Sequence, residues 1–346
     1  MPMTARQRKY LAIALLLLLV AIGGGTGMVY HYFFAPAFPL TKTVYLYIDR
    51  DDTPDSVYQK IIQTAHPQQL TGFRWLAERD NYGQHIRTGC YAIHPNDNAR
   101  LLYRRLSRGY QSPVNLTIPS VRTLDRLART VGRQLMIDSL EIARLLTDTA
   151  FCQKLGYTKE TLPALFIPNT YEVYWNLSAE GWVKRMVKEH AAFWNKERLE
   201  KAARLGMTPN EVATLASIVE EETAYGPEKP MVAGLYLNRL RRGMLLQADP
   251  TVKFGLQDFG LKRILYKHLK VDSPYNTYKH VGLPPGPIRI PSIQGLESVL
   301  NYTPHNYLYM CAREDFSGTH NFAATLWQHA ANARRYQQAL NRRKIQ

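Results

Sequence analysis

The 346-residue sequence predicts an α+β protein carried on a single N-terminal transmembrane helix. Three observations lead there. An uncharged apolar run follows a basic stub, short strand-like and helix-like patterns alternate behind it, and one strongly marked helix gives way to a stretch rich in Gly, Pro, Tyr and Asn. With 45% hydrophobic residues the chain can bury a sizeable core and has room for two or three small domains.

Arg6, Arg8 and Lys9 precede the apolar run 10–30, which carries no charge and is long enough to cross a bilayer as one helix. The basic residues are expected to stay cytoplasmic. Ala35-Pro36-Ala37 has the look of a signal-peptide cleavage site. It lies about a dozen residues past the Leu-rich core, with Pro at its centre, so a retained anchor is expected, with a spacer to residue 40 and the bulk of the chain exported. Lys+Arg 44 against Asp+Glu 28 leaves a charge of +16, which suits anionic surroundings. An exported chain does not meet cytoplasmic nucleic acid, so that charge is read as facing membrane or wall polymers. Cys90, Cys152 and Cys311 are far apart, without CxxC pairs or histidines at ligand spacing, and are expected to be ordinary buried thiols.

Beyond the spacer, the β-branched and aromatic alternation of 43–48 predicts a strand, and 55–64 predicts a short amphipathic helix through Val57, Ile61 and Ile62. A second helix is expected at 73–79, a strand at 89–93, and a helix at 98–108 with Leu101, Leu102 and Leu106 on one face. Together they make a small α+β unit over 41–111. A connecting α+β region follows at 112–206: a strand after Ser112, helices at 123–131 and 139–146, and one long basic helix at 182–205 with Val183, Met186, Val187, Ala191 and Trp194 at helical spacing.

The segment 207–346 holds the most informative residues. Thr208-Pro209-Asn210-Glu211 supplies an N-cap, a proline in the first turn and a capping-box glutamate, so a helix is expected over 211–223. It ends in Glu220, Glu221 and Glu222. At about 100° per residue, Glu221 points away from the apolar stripe of Val212, Leu215, Ala216, Ile218 and Val219, while Glu220 and Glu222 flank it on opposite sides. A carboxyl half-buried against apolar neighbours holds its proton more tightly, as a general acid must. Periodicity does not choose between the two.

A second polar cluster, Gln247, Asp249 and Thr251, follows a strand or turn and is a candidate cleft lining, as are Asn276 and Tyr278. Asp249-Pro250 reads as a turn opener, and the composition after Ala248 predicts mostly ordered loops. A hairpin at 307–322 and a basic final helix at 324–342 close the chain. The sequence has no GxSxG elbow, P-loop, HExxH or dinucleotide fingerprint. His305 and His320 are expected to be hydrogen-bonding residues, with no metal and no organic cofactor implied.

Four segments, LASIVEEET at 215–223, YLNRLRRGMLLQADPTVKFG at 236–255, SPYNTYKHVGLPPGPI at 273–288 and YLYM with GTHNF at 307–322, resemble the YceG-like endolytic murein transglycosylases. The resemblance is colinear over the C-terminal half. It implies that the glutamate after ASIV, Glu220, is catalytic, and that Gln247, Asp249, Thr251, Asn276 and Tyr278 line the substrate cleft of a mixed α/β catalytic domain. It further implies a LysM-like βααβ module at 41–111, a single-pass protein of the bacterial inner membrane with its catalytic domain on the periplasmic side, and peptidoglycan strands as substrate near the penicillin-binding synthases. The expected activity is lytic cleavage to 1,6-anhydro ends. A two-carboxylate muramidase using Glu220 with Asp249 and a non-catalytic wall-binding anchor are the alternatives. The family's usual Pro-Gly after the GLPPGPI loop is Pro291-Ser292 in this sequence.

Overall fold

The computed structural model of the chain describes residues 4–261 and 263–343; the outermost residues of the expected stub and of the 207–346 segment lie outside the described residues. The first helix, α1 (Ala5–Val29), opens on a capping box between Thr4 and Gln7 and buries none of its residues. It runs on through a π-helical turn at Tyr30–Phe34, so that Ala5–Phe34 is by length and composition able to cross a membrane.

The chain divides into two compact units. The first comprises residues up to Asn115 together with Glu172–Asn176. Strand β1 (Val44–Ile48), helices α2 (Pro54–Ala65) and α3 (Thr71–Arg79), strand β2 (Gly89–Ile93) and helix α4 (Ala99–Arg108) succeed one another in the expected order. The two strands pair antiparallel, Val44 opposite Ile93 and Ile48 opposite Gly89. Leu46 and Ile48 point inward from β1 and meet Val57, Ile61, Phe73, Leu102 and Leu106, while Tyr45 and Tyr47 face out, as a period of two dictates. The Ala35–Ala37 stretch does not dangle: Ala37 and Phe38 are buried in this core, and the Ala37 amide donates to the Asp97 carbonyl.

The second unit comprises Leu116–Tyr171 and Leu177 onward, so the segment 112–206, expected as one connecting region, divides between the units. Strand β3 (Val114–Ile118) leads to α5 (Leu124–Gly132), α6 (Ser139–Thr147) and α7 (Thr149–Lys154); β4 (Asn169–Val173), which the sequence reading missed, pairs with β3. The single helix expected over 182–205 is two, α8 (Ala179–Phe193) and α9 (Lys196–Arg204). Trp194 closes the first, and Asn195 caps the second by accepting from the Arg198 amide, a local bond that competes with continued helix.

Helix α10 (Pro209–Glu222) begins on the expected capping box, with Glu211 accepting from the Thr208 amide. It is not a surface helix with one apolar stripe. Every residue from Val212 to Val219 is buried, because α10 runs through the middle of the unit. Around it lie α11 (Lys229–Arg241), α12 (Asp249–Leu256) and α13 (Ile293–Leu300), with Val232, Leu235, Tyr236, Leu296 and Val299 in the same core. Each fully buried Leu, Ile or Val adds roughly 1.5–3 kcal/mol. The hairpin β5 (Tyr309–Ala312) and β6 (His320–Ala323) and the closing helix α14 (Leu326–Arg342) complete the unit. Its sheets are two-stranded and its mass is helical, which gives an α+β architecture in which α10 is the axis.

Candidate functional site

Three adjacent carboxylates leave the end of α10 in three directions, and each meets a different environment. Glu221 accepts from Arg122 through two bonds of 2.7 Å and from Arg289 at 2.9 Å. Its side chain is only 11% exposed, so it is an ion-paired residue and not a solvated one. Glu220 turns to α13. Its Oε2 accepts the Ser292 amide at 2.7 Å, and its Oε1 lies 3.7 Å from the ammonium of Lys229, itself buried. Ser292 is the N-cap of α13, accepting from the Gly295 amide, so Glu220 sits where that helix presents its positive end. A Cβ on Gly295 would come within 2.8 Å of Glu220 Oε2, which is why glycine fits there.

Glu222 faces a cavity of about 230 Å³. The cavity is lined by Glu222, Tyr236, Arg239, Gln247, Asp249, Tyr278, Cys311 and His320, among others. The Tyr236 hydroxyl donates to Glu222 Oε1 at 2.7 Å. Burial pushes the Glu222 carboxyl up to about 7, against the opposing pull of that hydrogen bond; the nearby Asp249 adds to the rise and Arg239 reduces it. Burial drives the Tyr236 phenol far above its usual range, so it remains a donor.

Arg239 is buried and has its guanidinium spent on carbonyls, donating to Leu308 at 2.6 Å and to Leu246 at 2.9 Å. It thereby ties α11 to the hairpin and to the strand-like entry into α12, and a longer contact of 3.4 Å reaches Gln247 Oε1. Gln247 itself adopts φ 51°, a left-handed conformation that costs a non-glycine residue energy and is held by the hydrogen bond its backbone amide donates to the Thr277 carbonyl. Asp249 opens α12 with Pro250 in the first turn; its Oδ1 accepts from the Tyr278 hydroxyl at 2.6 Å. The expected turn at Asp249-Pro250 is therefore a helix start, where proline's missing donor is harmless. Across the cavity, buried Glu228 accepts the His320 backbone amide at 2.7 Å and pairs with its ring Nδ1 at 2.8 Å.

Of the six expected site residues, Gln247, Asp249 and Tyr278 line this cavity and three do not. Thr251 is fully buried, bonded to the Ala248 carbonyl and to Thr277. Asn276 is fully buried too; its amide donates to the Leu269 and Val271 carbonyls and its oxygen accepts from the Tyr278 amide. Both shape the loop that presents Tyr278. Glu220 is the third. The residues not anticipated are Glu222, which periodicity left open, and Tyr236, Arg239, Glu228 and Cys311. Tyr236 and Arg239 stand three apart, on one side of their helix, which is a signal legible in YLNRL. Cys311 is half-exposed and free, where a buried thiol was expected. Among the described residues, no three His, Cys, Asp or Glu side chains are grouped to hold a metal ion.

These features define an α+β protein with a membrane-length helix near its N-terminus and a cavity built around a carboxyl group that keeps its proton near neutrality, an arrangement suited to proton transfer. The model of the YceG-like family matches residues 46–335. The chain belongs to that family. It is 28% identical over 343 residues to the endolytic murein transglycosylase of Streptococcus pneumoniae serotype 2, covering 88% of this chain and 61% of the relative. It is 26% identical over 267 residues to the endolytic murein transglycosylase of Bacillus subtilis, covering 72% of this chain and 73% of that one. The chain thus spans about three fifths of the pneumococcal relative's length. The crystal structure of a YceG-like protein from Listeria monocytogenes superposes with a TM-score of 0.58 at 26% identity, over 84% of this chain and 99% of that one.

Proposed function

We propose that the chain is a membrane-anchored endolytic murein transglycosylase, and that Glu222, in place of Glu220, is its acid. The observation that carries the assignment is the Glu222 carboxyl, raised to about 7 and facing a cavity shared with Asp249, Gln247, Tyr278 and His320. Glu220, by contrast, is engaged by the Ser292 amide and Lys229. In the proposed reaction, Glu222 gives its proton to the oxygen leaving C1 of N-acetylmuramic acid as the β-1,4 bond to N-acetylglucosamine breaks. The resulting carboxylate then takes the proton from the muramic C6 hydroxyl, whose oxygen closes on C1 to form the 1,6-anhydro ring. No water is consumed, and the acid is regenerated. One carboxyl group therefore suffices where ordinary glycosidases need two. Tyr236 holds the carboxyl in place, and Asp249 with Tyr278 and Gln247 is assigned to sugar contact.

A second reading, a hydrolase that pairs Glu222 with Asp249, is favoured by one observation: both carboxylates line the same cavity. The products separate the two, because an anhydro end is lighter by one water. Digestion of sacculi by the full chain, followed by mass spectrometry, is expected to give anhydro ends that vanish in Glu222→Gln and persist in Glu220→Gln. Hydrated ends alone would move the assignment to hydrolysis, and binding without cutting would leave a wall-binding anchor. The same reading places the enzyme on strands emerging at the bilayer beside penicillin-binding synthases, with α1 in the inner membrane, the small unit as a LysM-like glycan contact, and strand elongation ended by the cut.

A further inference from the structure

The first unit carries a second cavity, of about 460 Å³, at the point where α1 gives way to the folded chain. Its walls come from the π-helical turn, from α3 and from the start of α4. Phe33 packs edge-on against Trp75 with ring centroids 5.5 Å apart, and Trp75 stays half exposed. Arg79 stacks over the Trp75 ring at 5.0 Å, and Arg100 over Phe34 at 5.3 Å. Close packing fixes the arrangement. Gly72 lies so near the Tyr32 carbonyl that a Cβ would collide with backbone, and Gln69 donates to the carbonyls of His31 and Tyr32.

We infer that this cavity binds an anionic phospholipid of the leaflet that α1 leaves, with acyl-chain carbons against Phe33, Phe34 and Trp75 and the headgroup phosphate between Arg79 and Arg100. Two independent features point to lipid. The cavity is continuous with the membrane-length helix, whose last residues, Val29 and Tyr32–Phe34, form part of its wall. Its lining also sets arginines against aromatic rings, the pairing met at a bilayer interface, where aromatic rings sit at headgroup level and arginines reach for phosphate. Asp80 pairs with Arg79 at 2.8 Å but is itself exposed, and Arg100 has no carboxylate partner among the described residues. Arginine suits the role because its planar fork can hold phosphate oxygens while its face stays on a ring. A bound lipid would fix the small unit at a set height above the bilayer.

The inference rests on α1 spanning the membrane. It is tested on the full chain reconstituted in nanodiscs containing equal amounts of phosphatidylglycerol and phosphatidylcholine, then extracted and examined by native mass spectrometry. Wild-type protein is expected to retain phosphatidylglycerol over phosphatidylcholine. The double variant Arg79→Gln/Arg100→Gln is expected to lose that preference by roughly tenfold or more, given the contribution of each arginine at an anionic surface. The triple variant Arg6→Gln/Arg8→Gln/Lys9→Gln is expected to keep it, as is inorganic phosphate competition at millimolar levels. Equal retention of both lipids by wild type, or a preference that follows the N-terminal stub, would overturn the lipid site. Failure of the chain to enter nanodiscs at all would overturn the membrane span with it.

Discussion

Replacing Glu222 by glutamine should raise stability while it removes activity, and the two effects have one cause. The carboxyl rises from the usual 4.5 to about 7, a displacement of two to three pH units. At 1.36 kcal/mol per unit the ionised form costs the fold up to about 3 kcal/mol, and the open side of the cavity lowers that to roughly 1–3 kcal/mol. The sign follows from proton counting. Between about 4.5 and 7 the folded chain holds a proton that the unfolded chain has released, so stability falls as pH rises through that window and is lowest above it. Glutamine keeps an acceptor for the Tyr236 hydroxyl and carries no charge. Thermal unfolding of the purified full chain in detergent should therefore show Glu222→Gln melting several degrees above wild type at pH 8, at about 2–4 °C per kcal/mol, with the gap closing by pH 4.5. Equal midpoints at pH 8, or undiminished release of glycan fragments by the variant, would refute the assignment of a strained acid to Glu222.

Three other outcomes follow from neighbouring contacts. Glu220→Gln should retain cleavage within about tenfold of wild type but lose roughly 1–3 kcal/mol in thermal unfolding, since Lys229 is left buried without its carboxylate. Tyr236→Phe deletes a hydrogen bond that lowers the Glu222 value, so the alkaline limb of the pH–rate profile should move to higher pH; an unmoved or acid-shifted limb would contradict the 2.7 Å bond as drawn. Gly72→Ala forces α3 away from the Tyr32 carbonyl and should cost about 1–3 kcal/mol, read as faster proteolysis between α1 and β1, whereas Gly24→Ala in the open part of α1 should leave that rate unchanged.

Much of the fold was legible because its signals are local. The Thr208 capping box and the alternation in β1 are written in a few residues each. Helix α11 escaped because Val232–Leu237 are buried on every side and it starts on Glu228 without a side-chain cap, so neither period nor punctuation marks it. Helix α12 hid behind Pro250, which serves as well to start a helix as to make a turn. The site was legible by composition and not by direction. A stripe argument presumes one wet face, and α10 has none between Val212 and Val219, so which glutamate meets the cavity depends on α11, α12 and the hairpin arriving from elsewhere in the chain. Thr251 and Asn276 look like sugar contacts in a motif, yet their bonds run inward to the backbone.

The end of α10 also bears on how the acid keeps its proton. Carbonyl groups without intrahelical partners gather at a helix C-terminus and carry about half a negative charge, so acids there are opposed and bases welcomed. This helix closes with three acids and no basic residue in its last turn. Glu221 answers the opposing field with Arg122 and Arg289, and Glu220 with Lys229 and the N-terminal end of α13. Glu222 forms no ion pair among the described residues, and a bound proton is the remaining way to relieve the same field. The helix axis itself thus works as a fixed electrode set against ionisation, contributing about 0.3–1 kcal/mol toward the neutral acid without any added side chain.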